Sequence, residues 1–294
     1  MTQNSDPIQV DEAQARVLLA TQAPAWAHLT LRAVPSDGTD NAIFRLGESY
    51  VLRIPRRAEA VALLEKELDW LPRLNALLLG IPVLHARGRS EQGHPFGILG
   101  WIAGQCATPD QIADPLEAAR QLAAYLAALQ KVETRRAPAA GSLNSRRGVP
   151  LADLDEVTSH AIDTVADEID APRAHALWEN ACAAAPAHAA RWVHGDLKAD
   201  NLIAQNGKLR GVIDWGLTAV GDPAADYAAA WSWVSPTART AFREQLGAPD
   251  TDWLRARGWA LYGAVIALSY YRGGRNEALC RQSRLTLSRL GLLR

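Results

Sequence analysis

The segment WVHGDLKADNLIAQNGKLRGVIDWG constrains the fold more than any other part of the chain. An apolar start leads into a polar loop that carries Asp196 and Asn201, and two short apolar runs follow. Asn206-Gly207 separates these runs, and Asn-Gly between apolar runs is the strongest short-range signal for a β-hairpin. A hairpin turns the chain back on itself, so the pattern predicts that Asp214, at its far end, lies beside Asn201.

The side chains of this segment match the needs of phosphoryl transfer. That reaction requires a carboxylate to orient and deprotonate the acceptor hydroxyl, oxygen ligands for Mg²⁺ and a cation on the phosphates. Asp196 is a candidate base, and Asn201 and Asp214 offer a neutral and an anionic oxygen. Mg²⁺ takes few protein ligands and completes its shell with water and phosphate, so these two are enough. The alternative is that all three are turn-forming Asx residues without a catalytic role.

HGDLKADN followed by IDWG resembles the HRDLKxxN catalytic loop and the DFG motif of protein kinases. The pattern is more similar still to the aminoglycoside phosphotransferase family, with its HGDxxxxN and IDxG signature, and the resemblance extends over nearly the whole chain. It implies that Asp196 is the catalytic base and that Asn201 and Asp214 bind Mg²⁺. Lys198 would reach the transferring phosphate, as the corresponding Lys does in protein kinases, with a solvated Lys as the alternative. His194 matches the motif His and is expected to hold the loop by hydrogen bonds.

Gly195 takes the place of an Arg that, in protein kinases, grips a phosphorylated activation loop. Without that Arg, and with no APE segment after Asp214, regulation by loop phosphorylation is not expected. A small-molecule acceptor therefore fits better than a protein acceptor.

The resemblance implies an α+β, protein-kinase-like fold of two lobes. Residues 1–102 form the predicted nucleotide-binding lobe, with an antiparallel sheet of about five strands and one main helix from Ala58 to about Leu78. Residues 103–294 form a mostly helical lobe for catalysis and acceptor binding, finished by about three or four helices. The boundary is placed at AGQCATPD, which has turn composition.

The loop SDGTDN joins two strands where a kinase places its glycine-rich loop. Four residues offer hydroxyl or backbone N–H groups to the phosphates: Ser36, Gly38, Thr39 and Asn41. Only one Gly is present, so the GxGxxG signal is missing, and an ordinary hairpin turn is the alternative. The strand PFGILGWI is expected to supply the hinge, where Leu99, Trp101 and Ile102 would contact the base of ATP, with GTP left open.

Arg53 stands where protein kinases carry the phosphate-binding Lys of strand three. Arg keeps the positive charge and can hold phosphate through two hydrogen bonds, but its planar fork is bulkier. Its expected partner is Glu67, with Glu65 as the second choice, because residues about 200° apart on a helix cannot both face Arg53. A surface charge pair is the alternative.

The acceptor site is predicted from charge. The stretch from Asp153 to Asp170 is interpreted as one acidic helix, which would attract a polycationic aminoglycoside, although a charge run is also typical of a solvated face. The candidate acceptor contacts are Asp153, Glu156, Asp226 and Tyr271. For Asp226, a structural brace of the metal loop is favoured over substrate contact.

The composition argues against several classes of partner. Lys and Arg number 31 against 32 Asp and Glu, which gives no basic surface for nucleic acid and no polybasic membrane signal. The N-terminus is polar, unlike a secretory signal, and the longest apolar run is too short to span a bilayer. Cys106, Cys182 and Cys280 lack metal-ligand spacing and indicate reduced thiols in a cytoplasmic protein. No obligatory protein partner is evident.

The leading hypothesis is an ATP- and Mg²⁺-dependent O-phosphotransferase that phosphorylates a hydroxyl of an aminoglycoside-type antibiotic and so confers resistance. The rival acceptors are a macrolide, a peptide antibiotic, or a metabolite of the homoserine, choline or sugar-amine type. A catalytically silent nucleotide-binding scaffold is the alternative from another class. Arg53 is the only feature that favours the scaffold, whereas the intact Asp196, Asn201 and Asp214 oppose it.

Overall fold

The structure, a computed structural model, describes residues 8, 10–35, 40–74 and 77–294. An antiparallel sheet with two helices forms the N-terminal part, and helices dominate the C-terminal part. The α+β class predicted from the sequence is confirmed. Three of the predicted phosphate contacts, Ser36, Gly38 and Thr39, lie outside the described residues.

The N-terminal part begins with a helix whose start is set by a capping box. The Asp11 side chain accepts from the Gln14 N–H at 2.8 Å, and the Gln14 side chain accepts from the Asp11 N–H at 2.9 Å. The helix and strands are α1 (Glu12–Gln22), β1 (Leu31–Ala33), β2 (Asn41–Leu46), β3 (Tyr50–Pro55), β4 (Leu84–Arg89) and β5 (Pro95–Gly100). The strands pair antiparallel in the order β1-β2-β3-β5-β4, so the predicted sheet is present.

Alternation along the strands gives this sheet two buried faces. Leu52 and Ile98 belong to a cluster that includes side chains of α1. Val51 and Leu99, their immediate neighbours, belong to the main core of the protein. Successive side chains of a strand point to opposite faces, which separates the two sets. The second face packs against α2 (Ala58–Trp70), and α2 in turn contacts the C-terminal part.

The helix α2 is shorter than the sequence predicted. It ends at Trp70 and continues as one 3₁₀ turn, Leu71–Arg73, whereas the apolar periodicity suggested an end near Leu78. Pro72 has no N–H to donate to the preceding turn, so the α-helical ladder stops there. Leu74, whose N–H closes the 3₁₀ turn on the Leu71 carbonyl oxygen at 3.0 Å, and Leu79 are both buried although they lie beyond the α-helix.

Five short strands support the loop that carries the candidate catalytic residues. They are β6 (Gln105–Cys106), β7 (Arg191–Val193), β8 (Leu202–Gln205), β9 (Lys208–Val212) and β10 (Ala219–Gly221). Antiparallel pairs join β6 with β8, β8 with β9, and β7 with β10. β6 lies within the predicted linker and pairs with the C-terminal part, and the division of the chain at residue 103 stays a prediction.

The hairpin β8–β9 is confirmed. Gln205 pairs with Lys208 across Asn206 and Gly207. Both turn residues have positive φ, 53° and 76°. That combination is the one a type I′ turn requires, and its twist matches that of the strands it joins.

The remaining helices form the C-terminal part, where most of them pack against the longest one, α9, and α3 packs against α8. They are α3 (Pro115–Leu129), α4 (Asp155–Thr164), α5 (Ala171–Ala183), α6 (Ala224–Tyr227), α7 (Ala229–Ser232), α8 (Arg239–Leu246), α9 (Asp250–Tyr271) and α10 (Glu277–Arg289). α9 contacts α4, α5, α6, α7 and α10. Among the helices of the described residues, none has the length and apolar character needed to cross a membrane.

Two helical predictions need correction. The stretch from Asp153 to Asp170 is not one helix, because α4 ends at Thr164 and Asp170 caps α5 by accepting from the Arg173 N–H at 3.2 Å. Asp favours such caps over helix interiors since its carboxylate competes for backbone N–H groups. Within the fully described residues 217–294 the chain ends in five helices, two of them single turns, where three or four were predicted.

We expect Gly207→Ala to lower the free energy of unfolding by about 1–3 kcal/mol. A Cβ is disfavoured at positive φ, and here it would also lie 2.7 Å from the Ala113 Cβ. Gly93→Ala is the matched control: its φ is 83°, but its Cβ would meet no atom of the described residues within 4 Å. Urea unfolding followed by circular dichroism measures both variants. Equal losses would show that the contact with Ala113 contributes nothing.

Candidate active site

A buried histidine holds the loop between β7 and β8. The His194 ring stands edge-on to Trp215, with ring centroids 4.8 Å apart. Its Nε2 lies 3.0 Å from the carbonyl oxygen of Ile213, and its Nδ1 accepts from the Asp196 N–H at 3.3 Å. Nε2 is thus placed to donate to a carbonyl oxygen, while Nδ1 accepts from a backbone N–H. His194 therefore fastens the loop to the end of β9, which is the role that the sequence favoured.

Asp226, in α6, holds the same loop from its other side. Its carboxylate oxygens accept from the backbone N–H groups of His194 at 2.6 Å and Gly195 at 2.9 Å. The residue is only 2% exposed, and burial raises its pKa above the ordinary value even though both N–H donors oppose the rise. This position contradicts the assignment of Asp226 to the acceptor, because its carboxylate is used inside the protein. The geometry supports the brace.

A close approach of two loops requires glycine at position 195. Gly195 has a φ of 83°, and a Cβ there would lie 2.7 Å from the carbonyl oxygen of Leu217. A larger side chain, such as the Arg of protein kinases, would force these loops apart. The packing of the two loops therefore accounts for the glycine.

Asp196 has two polar neighbours on one carboxylate oxygen. The amide nitrogen of Asn201 donates to the backbone oxygen and to Oδ2 of Asp196, each at 2.8 Å, and the Lys198 Nζ lies 3.1 Å from Oδ2. Burial alone would lower the pKa of Lys198, but the carboxylates of Asp196, Asp214 and Asp200 raise it above the ordinary value. Lys198 is therefore a firm positive charge beside the candidate base.

Asp214 reaches the site from a strained backbone. Its φ of 65° and ψ of 71° lie in the left-handed region, which costs a residue other than glycine about 1–3 kcal/mol and is found most often at functional sites. The preceding residue, Ile213, donates its N–H to the carbonyl oxygen of Asn201 at 2.9 Å. The hairpin thus brings Asn201 and the Asp214 segment together, as the sequence predicted.

Asn201 and Asp214 suit a hard divalent cation. The amide nitrogen of Asn201 is committed to Asp196, which leaves the amide oxygen as a ligand, and Asp214 adds a carboxylate. Mg²⁺ prefers such oxygens and keeps part of its shell for water and phosphate. The described part of the chain has no group of three or more His, Cys, Asp or Glu that could hold a metal. A metal here would therefore depend on these two ligands and on the nucleotide.

Arg53 connects the sheet to this site through two ion pairs. Its Nη1 lies 2.6 Å from Oε1 of Glu67, and its Nη2 lies 2.8 Å from Oδ1 of Asp214. The same Oε1 accepts from the Trp215 N–H at 3.2 Å. Glu67 rather than Glu65 is thus the partner, since Glu65 faces outward. The nucleotide role of this network stays a prediction.

The charges of this network shift one another. Burial alone would lower the pKa of Arg53. Glu67 and Asp214 together outweigh this effect, and the pKa of Arg53 lies above its ordinary value. Burial would raise the pKa of Asp214, yet Arg53 holds it below the ordinary value. For Glu67, burial outweighs Arg53 and raises the pKa. Arg53 is therefore charged at every pH at which the protein is folded, and Asp214 is its anionic partner.

The catalytic and nucleotide candidates meet in one small cavity of about 50 Å³ between the sheet and the helical part. Its lining includes Asn41, Leu64, Glu67, Asp196, Asp214 and Leu217. The carboxylates of Asp196 and Asp214 thus border a common space, as the phosphotransferase hypothesis requires. The buried Oδ1 of Asn41 makes no hydrogen bond within the described residues, which leaves an acceptor there.

The hinge prediction needs correction. The backbone N–H of Trp101 donates to the Ser49 carbonyl oxygen at 2.8 Å and is not available to adenine. The Arg45 guanidinium lies 4.1 Å from the Trp101 ring centroid, and Leu99 is fully buried in β5. Ile102 follows the strand, and its backbone N–H makes no hydrogen bond to the rest of the described chain. It is the hinge candidate that remains.

Most acidic residues of the predicted acidic wall have structural partners. Within hydrogen-bond distance lie Asp155 and Trp178 (2.7 Å), Asp163 and His175 (2.9 Å), Asp167 and Arg272 (2.8 Å), and Glu168 and Arg284 (2.6 Å). Asp153 and Glu156 are exposed and have no ion pair to a described residue, so they stay predicted acceptor contacts. Tyr271, partly buried at the end of α9, stays one as well.

The sequence did not single out Asn144, which supports the site from a neighbouring loop. Its side chain accepts from the Gly141 N–H at 2.8 Å and donates to the carbonyl oxygens of Arg147 and Leu217, at 2.7 and 3.3 Å. These bonds fasten the loop SLNSRRG against the segment that follows Asp214. An Asn in a polar loop has no local pattern that would have revealed this.

The sheet, the buried Arg53 pair and the polar loop after β7 have the arrangement of a protein-kinase-like two-lobe enzyme. Residues 30–259 match the model of the phosphotransferase enzyme family. The chain belongs to this family and is a phosphotransferase. A comparison with curated protein sequences found no significant match.

Solved structures share this fold. A GDP complex of wild-type aminoglycoside 2'-phosphotransferase-IIIa has a TM-score of 0.71 at 20% identity, covering 96% of this chain and 99% of that one. The GDP and kanamycin complex of APH(2")-IIia has a TM-score of 0.74 at 19% identity, covering 95% and 99%. Macrolide 2'-phosphotransferase type I has a TM-score of 0.60 at 22% identity, covering 93% and 96%. At these identities the similarity establishes the fold.

We expect Arg53→Met to lower the free energy of unfolding by about 3–5 kcal/mol, because it leaves Glu67 buried without its cation. Arg89→Met is the matched control: it breaks the ion pair of Arg89 with Glu65 on the outer side of the same helix. Exposed pairs contribute less than about 1 kcal/mol. Urea unfolding compares the two variants at neutral pH. A loss at Arg53 as small as the loss at Arg89 would contradict the structural importance of the buried pair.

The burial of Lys66 leads us to expect that the free energy of unfolding depends on pH. It is 6% exposed, its Nζ has no hydrogen-bond partner among the described residues, and burial lowers its pKa from 10.5 to about 8. Between these two values the unfolded chain holds more protons than the folded chain, so stability rises with pH.

We expect Lys66→Met to remove this rise and to stabilise the protein at pH 7 by about 1 kcal/mol, since nearby water screens part of the burial penalty. Lys208→Met, at an exposed position, is the control. Thermal unfolding from pH 7 to pH 10 measures the difference from wild type. The same slope in both variants would show that Lys66 does not cause it.

Proposed function

We propose that this phosphotransferase transfers the γ-phosphate of ATP to a hydroxyl group of a small molecule, with Mg²⁺ as cofactor. The observation that carries the proposal is the common cavity bordered by the carboxylates of Asp196 and Asp214, next to the buried Arg53. One carboxylate serves the acceptor and the other serves the phosphates. Separate groups for these two tasks are what phosphoryl transfer needs.

Asp196 acts on the acceptor. Its carboxylate accepts the hydrogen bond of the attacking hydroxyl, turns the oxygen toward the γ-phosphorus and receives the proton as the bond to phosphorus forms. Asn201 and Lys198 fix the carboxylate through Oδ2, so the hydroxyl is met by a carboxylate of defined orientation. Lys198, a cation beside this position, stabilises negative charge on the transferring group.

Arg53, Asn201 and Asp214 act on the nucleotide. Bound Mg²⁺ would supply neutralising charge to the phosphate oxygens, and Asn201 and Asp214 would hold it. Arg53, kept in place by Glu67, presents guanidinium N–H groups to phosphate on the same side. Ile102 offers a backbone N–H to the base, a contact that ATP and GTP can both make. Asn41 adds a polar group at the start of β2.

An aminoglycoside-type antibiotic is the proposed acceptor class. Most acidic residues between 153 and 170 have partners within the protein. Two exposed carboxylates near α4, Asp153 and Glu156, remain to attract a cationic amino sugar. The similar structures include complexes with kanamycin, streptomycin and gentamicin. A macrolide is the second candidate, favoured by the partners that Asp163, Asp167 and Glu168 have within the protein and by the macrolide phosphotransferase among the similar structures.

The test is phosphate transfer from ATP to kanamycin, erythromycin and choline, detected as a mass increase of the acceptor. We expect Asp196→Ala to lower transfer about 10²–10⁴-fold while the affinity for Mg-nucleotide changes little, because the base touches the acceptor. Asp200→Ala, four residues further on at an exposed position, is the matched control and should retain activity. Transfer by Asp196→Ala at the wild-type rate would refute the role of Asp196.

Asp214→Ala separates the metal role from the base. Calorimetry with and without Mg²⁺ should show that this variant loses the metal-dependent part of nucleotide affinity, whereas Asp196→Ala keeps it. Nucleotide binding by the wild type with no transfer to any acceptor would favour the silent scaffold. Phosphorylated erythromycin with unmodified kanamycin would assign the macrolide class.

A further inference from the structure

A second concave site lies on the helical part, between α8 and the start of α9. It is a groove of about 500 Å³, lined among others by Arg239, Thr240, Arg243, Glu244, Ala248 and Trp253. We call it the arginine groove. It shares no lining residue with the cavity at Asp196 and Asp214. Its volume lies within the range of about 300–1,000 Å³ that is typical of small-molecule sites.

The two arginines of this groove are held in place by the protein itself. Arg239 donates its Nε–H to the carbonyl oxygen of Ala230 at 2.9 Å, and Arg243 donates its Nε–H to that of Ala248 at 3.2 Å. Both lie on α8, four residues apart, so their side chains project from the same face of the helix. Anchoring through Nε reduces the entropy that each side chain loses when a ligand binds. Arg243 also pairs with Asp250 through Nη2, and the Nη2 of Arg239 is buried without a hydrogen-bond partner among the described residues.

Aromatic rings complete the same surface. The Arg239 guanidinium lies 5.2 Å from the ring centroid of Trp231, and the Arg243 guanidinium lies 5.4 Å from that of Trp253. The two tryptophans contact each other at 4.9 Å. Trp253 borders the groove and offers an apolar surface next to the two cations. The groove therefore combines fixed positive charge with a surface for a planar or apolar group.

Positive charge exceeds negative charge around the groove. Arg289 donates to the Trp231 carbonyl oxygen at 3.1 Å, directly after the carbonyl that Arg239 uses, so the two guanidinium groups are neighbours. Burial, together with Arg289 and Arg257, lowers the pKa of Arg239. Arg239 has no carboxylate partner among the described residues. The nearby acidic groups are Glu244, on the groove, and Asp250, which pairs with Arg243.

Capping of α7 explains only part of this arrangement. The carbonyl oxygens of Ala230 and Trp231 lie in this four-residue helix, and a cation at a helix C-terminus is favourable. These oxygens carry partial charges and use one N–H of each guanidinium. They do not explain why Arg243, anchored to a different carbonyl, faces the same groove. Arg239 and its neighbour Arg289 have no carboxylate partner among the described residues, and such an excess of positive charge favours an anionic partner.

We propose that the arginine groove binds a small phosphate ester, with the phosphate between Arg239 and Arg243 and the ester group against Trp253. Guanidinium groups match phosphate oxygens through paired hydrogen bonds, and the charge-assisted bonds are stronger than neutral ones. Such a site is separate from the transfer reaction and does not depend on the proposed function. The helical part would then carry a second binding site, which selects anionic ligands.

The test is calorimetric titration with phenyl phosphate, which carries both the phosphate and a planar ring. We expect Arg239→Gln/Arg243→Gln to bind it about tenfold more weakly, because charge-assisted hydrogen bonds are lost. Arg32→Gln, an exposed arginine of the sheet, is the control for net charge and should bind as the wild type does. Since the candidate active site is proposed to bind phosphates as well, each titration is repeated on Lys198→Gln, which removes a cation from that site and leaves the groove intact.

A gain of affinity guards against misfolded variants. Glu244→Gln removes from the groove a negative charge that repels the phosphate. It should tighten phenyl phosphate binding about threefold, an effect that unfolding cannot produce. Failure of the wild type to bind phenyl phosphate, or equal binding by the double arginine variant, would overturn the proposal. Benzoate bound as tightly as phenyl phosphate would overturn the assignment to a phosphate ester.

Discussion

The buried guanidinium of Arg53 is the contact on which the rest of the site depends. It joins β3 to α2 through Glu67 and to the end of β9 through Asp214, so one cation connects the sheet, its helix and the catalytic segment. Removing one member of such a group leaves an uncompensated buried charge, which is strongly destabilising. The same network keeps a cation that we propose to bind phosphate next to a carboxylate that we propose to bind the metal.

The reacting residues are few, and most of the polar groups around them only hold them. Asp226 and His194 fix the loop before Asp196 by backbone hydrogen bonds, and Asn144 fixes the segment after Asp214. Catalysis by positioning needs such support, because a displacement of about 1 Å at a reacting group lowers the rate strongly. This explains why Asp226, in α6 beside the loop, has both carboxylate oxygens bonded to backbone N–H groups of the loop.

Local patterns predicted more than long-range ones. The Asn206-Gly207 turn and the alternating strands were found because each depends on residues close together in the chain. Helix ends were less accurate, since apolar periodicity does not show where the hydrogen-bond ladder stops, as at Pro72 in α2. For Asp226 the favoured brace agrees with the structure, but the sequence could not exclude acceptor contact, and it could not show that the Trp101 N–H is already bonded. The sequence does not show whether a backbone N–H is already hydrogen-bonded, and it does not show whether a carboxylate is buried or exposed.

The sequence by itself determined which chemical groups this protein has and how each short segment folds. It supplies a candidate carboxylate base, two candidate oxygen ligands on either side of a tight hairpin, and a cation in the third strand. Only the tertiary structure decided which charges meet. Arg53 and Asp214 are 161 positions apart, and their pairing follows from the packing of α2 against the catalytic segment. Burial then sets the strength of such a pair, because desolvation depends on every neighbouring element and not on local propensity.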